Sequence, residues 1–382
     1  MAAIGTHSGL VREIRERHER RLARSPTATH PPHRTAALHP YTKTIRDRVR
    51  QQIHAHRAPS SPTQPVKGSQ IIRNDYSQHF INRGVRPQNT IREPPLPFRY
   101  DEYPKLAQLT RLKDETVAAR ATPPMCLSAD LKTLDLKTIG GKFDVILIDP
   151  PLEEYARRSA VAGAMNIAKA GVSCWTWHDI ASLRIEEIAA PISFCFLWVG
   201  DAEGLDRGRE VLQRWGFRRS EDVAWIKTNK TWPGMRIVES RGVLQHTKEH
   251  CLMGIRGTVR RSTDGHLVHC NIDTDVIIAE EPPNGSTAKP EEMYHLIEHF
   301  CLGRRRIELF GEDRNLRSGW LTVGCDLSIS DFDPAMYWSQ FEGPDGHLVG
   351  VSQDVELLRP KSKSPPPSSK RKGVGRGMVG MM

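Results

Sequence analysis

The middle of the chain carries short, predominantly apolar runs that are separated by polar segments. Because the apolar residues follow one another without alternation, each run predicts a strand that is buried on both faces. Two segments between the runs, 202–215 and 291–302, instead repeat apolar residues with helical spacing, and the second follows Pro290, which suits a first helical turn. The predicted strands are 143–149, 193–199, 223–227, 250–255, 276–279, 305–310 and 320–323.

Strands that alternate with helices predict an α/β domain in which helices cover both faces of a sheet. Residues 1–70 are poor in large apolar residues, so we expect them to be disordered apart from one short helix at 9–24. A further helix is predicted near 104–119. The predicted regions are a disordered basic region 1–70, an ordered extension 71–119 that packs on the core, the α/β domain 120–335, a C-terminal extension 336–358 and a disordered basic Ser/Pro/Gly tail 359–382.

The formal charge of +10 is concentrated at the two ends of the chain. Residues 1–70 contribute +9 and residues 359–382 contribute +7, which leaves −6 for residues 71–358. The basic ends suit a nuclear targeting signal or a nucleic-acid contact about as well as a solubilising linker. Recognition of nucleic acid by the folded part therefore needs a local cluster of arginines rather than the bulk charge. No run of 18 apolar residues and no apolar secretory segment is visible, so we expect no membrane partner.

The seven cysteines predict reduced thiols rather than a metal centre. None of them is spaced as C-x-x-C, and their spacings match no zinc framework. His246 and His250 stand four residues apart, as a helical zinc pair does, but no third ligand accompanies them and the segment leads into a predicted strand. We therefore predict a structural role for both histidines and no metal site.

The segment Asp149-Pro150-Pro151-Leu152 directly follows the predicted strand FDVILI. A carboxylate at the carboxyl end of a buried strand lies at the edge where open α/β sheets bind ligands. The two prolines stiffen the turn and remove two backbone donors, which leaves carbonyl acceptors. Such a corner suits an exocyclic amine such as N6 of adenine, because two acceptors on its protons localise the nitrogen lone pair and direct it toward a methyl donor.

Together with longer strings around it, this motif resembles the family of messenger-RNA N6-adenosine methyltransferases, and within it the non-catalytic subunits. The resemblance covers about residues 71–330. It implies a Rossmann-like, class I methyltransferase fold with a three-layer, mixed sheet. The matching strings are NDYSQHF, RPQNTIRE, EYPKLAQLTRLKDE, FDVILIDPPLEEY, CWTW, EEIAAPISFCFLW, EGLDRGR, WIKTNK, HTKEHCLMGIRGTVRRSTDG, IEHFCLGRRRIELFG and GWLTVG.

The last residue of the motif separates two kinds of subunit in this family. Catalytic members have Asp-Pro-Pro-Trp, and the aromatic ring stacks on the target base, which is worth about 1–3 kcal/mol per base. Non-catalytic members have Glu-Pro-Pro-Leu. This chain combines Asp149 with Leu152, one residue away from the non-catalytic motif toward the catalytic one. The resemblance implies a vestigial motif with no catalytic residue. The alternative is an active S-adenosylmethionine-dependent adenine-N6 methyltransferase that uses Asp-Pro-Pro-Leu.

The positions that contact S-adenosylmethionine in catalytic relatives are mostly changed. An Arg-Pro-His-Asn cluster after the IELFG strand is replaced by residues 312–315, of which only Asn315 matches. A later Asn-Gln pair is Cys325-Asp326, whereas Lys289 is retained. The resemblance therefore implies that this subunit binds no cofactor and that the catalytic partner uses S-adenosylmethionine.

The resemblance also implies two interaction surfaces: a basic surface for messenger RNA and an interface with the catalytic subunit in a heterodimer. It further implies other regulatory proteins of the complex and a nuclear location. A different reading, an RNA-binding or assembly factor without a role in methylation, rests on the basic ends alone. The implied RNA-binding residues are Arg209, Arg218, Arg219, Arg260 and Arg261. The implied interface residues are Arg92, Glu93, Tyr103, Asp206, Arg209, Arg241 and His250 with the stretch between them, and Asn271 and Asp275 with the stretch between them.

Overall fold

The computed structural model describes residues 76–91, 94, 96–155, 174–200, 202–231, 244, 246–260, 264–265, 267–268, 273–282, 286–342 and 352–359. The helix predicted at 9–24 and the two basic ends lie outside these residues. The chain divides into two compact units, Met1–Arg92 with Asn229–Arg236, and Glu93–Thr228 with Ile237–Met382. The region boundaries predicted from the sequence stay predictions.

The second unit contains one mixed sheet. Its strands are β1 (Met125–Ser128), β2 (Phe143–Ile148), β3 (Ala189–Gly200), β4 (Arg218–Thr228), β5 (Lys248–Arg256), β6 (Val276–Glu280), β7 (Arg306–Leu309) and β8 (Trp320–Gly324). They lie in the order β1-β8-β7-β2-β3-β5-β4-β6. β5 runs antiparallel to both of its neighbours, and every other pair is parallel. The predicted α/β class with a mixed sheet is confirmed.

The central strands are buried on both faces, as their continuous apolar sequences predict. All six residues of β2 are buried. Ile146 and Ile148 pack into the core on one face of the sheet, while Val145 and Leu147 pack into the core on the other. The sheet therefore separates two hydrophobic cores, and its strand ends are held rigidly at the edge where the motif follows β2.

Helix α1 (Tyr76–Arg83) belongs to the first unit, and helices α2 to α7 belong to the second. The latter are α2 (Pro104–Arg120), α3 (Trp177–Ser182), α4 (Glu203–Arg214), α5 (Glu292–Phe300), α6 (Pro334–Ser339) and α7 (Gln353–Leu358). Side chains of α3, α4 and α6 enter the first core, and side chains of α5 enter the second. Helix α2 packs against α5 and α7. The helices expected at 104–119, 202–215 and 291–302 correspond to α2, α4 and α5.

In the described part of the first unit, Asn229 is hydrogen-bonded to the residues that follow α1. Asn229 Oδ1 accepts the backbone N–H of Arg86 at 3.2 Å and the side-chain amide of Asn89 at 2.8 Å. Its own amide donates to the carbonyl of Gly84 at 2.8 Å. The backbone N–H of Asn229 also donates to Asn89 Oδ1 at 2.9 Å, so four hydrogen bonds tie Asn229 to the residues that follow α1.

Two sequence expectations concern what the fold lacks. Six of the seven cysteines lie in the described part of the chain, and these six are free thiols. Within the described residues, every helix is too short or too polar to cross a lipid bilayer.

Candidate functional site

Asp149 follows the last residue of β2 and lies at the carboxyl edge of the sheet, because β2 runs parallel to both β3 and β7. Its backbone N–H donates to the carbonyl of Leu309 at 3.3 Å. Its side chain is 17% exposed, and Oδ1 lies 3.2 Å from Nζ of Lys289. Burial raises the pKa of Asp149 to about 6, although the ammonium of Lys289 lowers it. The carboxylate at this corner is therefore already paired within the protein.

Lys289 is the centre of a buried cluster of charges. Its Nζ lies 3.1 Å from Oε2 of Glu249 and donates to the hydroxyl of Tyr155 at 3.1 Å. It also lies over the ring of Tyr155, 4.2 Å from the centroid, and 5.3 Å from the ring centroid of Trp198. Burial alone lowers the pKa of Lys289, but the two carboxylates outweigh it and raise the pKa well above its ordinary value. The ammonium is therefore charged and held on several sides.

The cluster of charges extends to residues on and beside the neighbouring strands of the sheet. The second oxygen of Glu249, Oε1, accepts from Nζ of Lys227 at 2.6 Å, and Lys227 lies 3.6 Å from Glu281. Lys227 and Glu249 are 5% and 4% exposed. Because positive and negative groups alternate, each buried charge has an opposite neighbour, which is the condition for keeping charges in an interior. We call Asp149, Lys289, Glu249, Lys227 and Glu281 the buried ion network.

Leu152, the residue that replaces the stacking aromatic, belongs to the core. It is 4% exposed and forms an isolated β-bridge with Trp175. The backbone N–H of Trp175 donates to the carbonyl of Pro151 at 3.0 Å. The ring of Trp175 in turn meets Phe310 edge-on, with the centroids 4.8 Å apart. The side chain at this position thus supports the loop and has no ring to offer a base.

A cleft of about 640 Å³ opens beside the corner, along α3 and α4. Arg207 in its wall bonds to Glu203 at 3.2 Å and to Glu210 at 3.3 Å on the same helix. The wall is net acidic, so it repels phosphate groups. Its charged residues other than histidine are Glu153, Glu154, Glu203, Glu210, Arg207 and Arg214.

The positions expected near a methyl donor bond to one another instead. Asn315 Nδ2 donates to Oε1 of Glu308 at 2.9 Å and lies 2.8 Å from the hydroxyl of Tyr294. That hydroxyl donates to Glu308 Oε1 at 2.7 Å. Burial raises the pKa of Glu308 to about 8, against the lowering effect of the guanidinium of Arg317. Burial therefore favours the neutral form of the Glu308 carboxyl, which the Tyr294 hydroxyl and the Asn315 amide hold in place.

Two of the five changed positions, Glu312 and Asp326, carry acidic side chains in different surroundings. Glu312 forms an ion pair with Arg314, and Arg314 Nη2 donates to Thr287 at 2.9 Å. Asp326 is exposed. Glu312 and Asp326 thus place acidic side chains at two positions that the resemblance implies for the methyl donor, and the Asn315 amide is already hydrogen-bonded.

Sequence reasoning missed most of these partners. The Asp-Pro-Pro-Leu motif identified Asp149, and the resemblance identified Lys289. In the sequence, Lys227, Glu249 and Glu308 could not be distinguished from other strand residues. The available signal was a charged residue inside an apolar run: Lys227 in VAWIK, Glu249 before HCLMGI and Glu308 in RIELF. Such a residue is buried with its strand and needs a partner from elsewhere in the fold.

The arginines implied as RNA-binding lie near one end of β4 and β5. Arg218 and Arg219 begin β4 opposite Ile255 and Gly254 at the end of β5, and both arginines are exposed. Arg218 Nη1 donates to the carbonyl of Gly257 at 2.6 Å. Arg260 follows three residues later in the chain and is exposed, whereas Arg261 lies outside the described residues. On α4, Arg209 is exposed and pairs with Asp206 at 2.9 Å.

The implied interface residues fall into three groups. Tyr103 is 61% exposed, and Asp206, Arg209 and Asp275 are exposed. His250 is buried, with Nδ1 2.9 Å from Asp222 and Nε2 2.7 Å from Lys248. Four lie outside the described residues, namely Arg92, Glu93, Arg241 and Asn271.

One group of side chains has the composition of a metal site. Ligand atoms of Asp114, His295 and His299 lie within 4.8 Å of one another, the one such group among the described residues. Both ring nitrogens of His299 already lie near carboxylates, 2.7 Å from Asp114 and 3.1 Å from Asp273. Burial lowers the pKa of His299, but these two hydrogen bonds outweigh it and raise it to about 9. The charged ring opposes a cation, and the predicted lack of a metal site stays a prediction.

Comparison with known proteins shows which families and proteins this chain resembles. The model of the MT-A70 family matches residues 143–326. The N(6)-adenosine-methyltransferase non-catalytic subunit METTL14 of Xenopus laevis is 53% identical over 320 residues, which cover 82% of this chain and 68% of that protein. The protein of the same name from Drosophila melanogaster is 54% identical over 317 residues, which cover 82% and 78%.

A catalytic relative is more distant. The N(6)-adenosine-methyltransferase catalytic subunit METTL3 of Homo sapiens is 32% identical over 231 residues, which cover 60% of this chain and 36% of that protein. Identity is therefore far higher to the relatives named as non-catalytic subunits. The resemblance inferred from the sequence is confirmed, and the chain belongs to the MT-A70 family.

Proposed function

We propose that this chain is the non-catalytic subunit of a heterodimeric messenger-RNA N6-adenosine methyltransferase, in which it supports the catalytic subunit and positions the RNA. The observation that carries the proposal is the corner at Asp149. Its carboxylate is paired with Lys289, and Leu152 is buried in the core where a stacking ring is needed. The relatives with more than half of their aligned residues identical are named as non-catalytic subunits.

The residues around Glu308 do not fit S-adenosylmethionine. The Asn315 amide is hydrogen-bonded to Glu308 and Tyr294, and Glu312 and Asp326 bring negative charge. The carboxylate of this methyl donor needs hydrogen-bond donors, and both amide hydrogens of Asn315 are already used within the protein. We therefore assign S-adenosylmethionine to the catalytic partner, and this chain contributes RNA contacts and support.

Methyl transfer to an RNA oligonucleotide tests this division of labour. We expect no transfer by the purified chain alone and full transfer after the catalytic subunit is added. The Asp149→Asn variant is expected to leave the activity of the complex within about twofold, because a non-catalytic carboxylate makes no contact in the transition state. Transfer by the chain alone that is lost in Asp149→Asn would instead identify the alternative function, an active adenine-N6 methyltransferase.

RNA binding by the complex is expected to use the exposed arginines at the end of β4 and after β5. The double variant Arg219→Ala/Arg260→Ala should weaken RNA binding and reduce the slope of log affinity against log salt by about 0.7–0.9 for each phosphate that is no longer neutralised. Filter binding over a range of salt concentrations measures this slope. Arg111→Ala on α2, which removes an exposed arginine that pairs with Glu115, is the matched control. An unchanged slope in the double variant would remove these residues from the RNA surface.

The basic ends support a nuclear location for the complex. Lys370, Arg371 and Lys372 stand beside a Ser/Pro-rich segment, a composition typical of nuclear targeting signals. We include further regulatory proteins of the complex in the proposal on the resemblance alone.

A further inference from the structure

The cleft along α3 and α4 combines buried apolar side chains with exposed charged ones. Leu152, Trp175 and Val211 line it and are buried. The half-buried ring of Trp177 forms part of the wall, and Glu153 is exposed. A lysine or arginine side chain suits such a lining, because its methylene stem can cover apolar surface while its charged head meets carboxylates and aromatic rings.

The negative charges of this cleft are only partly neutralised. Arg207 bonds to both Glu203 and Glu210, so two carboxylates share one guanidinium. Glu153 pairs with no basic residue within the described part of the chain. With the exposed Arg214, the lining holds four carboxylates and two guanidinium groups, which is a formal charge of −2 without histidine. The cleft therefore attracts a positively charged group.

The cleft lies on a different side of α4 from the residues that the resemblance implies for RNA and for the catalytic subunit. Those residues, Asp206 and Arg209, pair with each other at 2.9 Å, and neither is among the described residues that line the cleft. Residues three or four positions apart share one side of a helix, as the charged cleft residues of α4 do. These are Glu203, Arg207, Glu210 and Arg214. The cleft is therefore a separate feature of the second unit.

The C-terminal segment 359–382 has the charge that complements this lining. It contains seven basic residues and no acidic one, and its densest run is Lys370-Arg371-Lys372. It belongs to the same compact unit as the cleft, whereas the other basic segment, 1–70, belongs to the first unit. The 23 residues after Arg359 can extend over roughly 75–80 Å, more than the width of roughly 45 Å of a folded body of about 250 residues. The segment is therefore long enough to reach the cleft from the end of α7.

We propose that the cleft binds the basic C-terminal segment of the same chain, with a side chain of the run Lys370-Arg371-Lys372 on the apolar lining and its positive head among the carboxylates. A tethered segment needs only weak intrinsic affinity, because the covalent link keeps its effective concentration in roughly the millimolar range. While these side chains are bound, they cannot contact a phosphate backbone, so the cleft competes with polyanions for the segment. The inference does not depend on the proposed function, since both binding surfaces are parts of this chain.

Coupling by a carbodiimide, which joins a carboxylate to a lysine amine that touches it, tests the inference in the full-length chain. Mass spectrometry of the digested protein should show Glu153 joined to Lys370 or Lys372. Glu210→Lys reverses a charge in the cleft and keeps the reporting carboxylate, so we expect it to lower the yield of this product about fivefold. Glu115→Lys, on the exposed face of α2, is the matched control and should leave the yield unchanged. An unchanged yield in Glu210→Lys, or coupling of Glu153 only to lysines outside 359–382, would overturn the inference.

Binding of a fluorescent peptide with the sequence of residues 359–382 gives a second, independent test. The triple variant Lys370→Ala/Arg371→Ala/Lys372→Ala weakens the chain's own segment. It should therefore bind the peptide at least about fivefold more tightly than wild type does, because its cleft is more often empty. Adding Glu210→Lys to the triple variant should remove this gain and leave the urea unfolding curve unchanged, since Glu210 is exposed. Equal affinity of the peptide for wild type and the triple variant would mean that the cleft does not hold the segment.

Discussion

Replacing Glu308 with glutamine is expected to raise the free energy of unfolding at pH 8 and to flatten its decline between pH 5 and pH 8. Burial raises the pKa of this carboxyl from its ordinary 4.5 to about 8. Between these values the folded protein holds a proton that the unfolded chain has released, so a rise in pH favours unfolding. Each unit of raised pKa corresponds to about 1.4 kcal/mol, so the group costs roughly 4 kcal/mol of stability at pH 8.

Glutamine fits the site because it removes the titration and keeps the contacts. Its carbonyl oxygen can accept the hydrogen bonds that Glu308 Oε1 receives from Tyr294 and Asn315. Urea unfolding of both proteins at several pH values gives the comparison, with Glu115→Gln on the exposed face of α2 as the control. Parallel stability profiles for wild type and Glu308→Gln would show that the carboxyl ionises at an ordinary pH.

The same measurement reports on two other groups, whose contributions remain in the variant. Burial raises the pKa of Asp149 to about 6, so its contribution also falls as the pH rises toward 6. The raised pKa of His299 makes its contribution complete below its ordinary value of 6.5 and lost as the pH rises through about 9. All three groups make the fold more stable in mild acid, and only the difference between the two profiles measures Glu308.

Replacing Lys289 with methionine is expected to destabilise the fold by about 3–5 kcal/mol, the usual cost of removing one partner from a buried ion pair. Methionine fills a similar volume, so little of this loss comes from a cavity. The loss comes from Asp149, which keeps no opposite charge at hydrogen-bond distance among the described residues, and from Glu249, which keeps Lys227. Urea unfolding at pH 7 measures the change.

Two further variants identify the cause. Lys105→Met alters an exposed lysine of α2 and should change the free energy of unfolding by less than about 0.5 kcal/mol. Asp149→Asn combined with Lys289→Met should recover part of the loss, because the amide needs no counter-charge. A Lys289→Met protein as stable as wild type would mean that the buried ammonium contributes nothing net to the fold.

The long elements could be predicted from the sequence because their hydrophobic patterns extend over enough residues to be distinguished from chance. The run FDVILI predicted β2, and helical spacing predicted α4 and α5 to within a few residues. The four residues of β1 and the six residues of α3 and α6 are too short for a periodicity to be visible. Their starts depend on local bonds instead, as where Thr176 and Asp179 cap α3. The reversed direction of β5 has no sequence signal, since periodicity does not encode pairing.

The site was predictable where a motif or resemblance named its residues and not where distant residues meet. Asp149 stood out because prolines follow a strand. His299 did not stand out, because its partners Asp273 and Asp114 are 26 and 185 positions away. Lys227 and Glu249 pair 22 positions apart, on neighbouring strands. Only the fold brings such groups within hydrogen-bond distance.

The buried ion network also limits the paths by which this chain can change over generations. Removing Lys289 leaves Asp149 in the interior with no opposite charge at hydrogen-bond distance among the described residues, which costs several kcal/mol of a total stability that is typically about 5–15 kcal/mol. Removing all charges of the network together can be nearly neutral, but that requires several simultaneous substitutions. Sequences in which only some of these charges have been replaced are therefore less stable than sequences that keep all of them or none. The ion pair with Lys289 therefore gives Asp149 a structural role that does not depend on any catalytic use of its carboxylate.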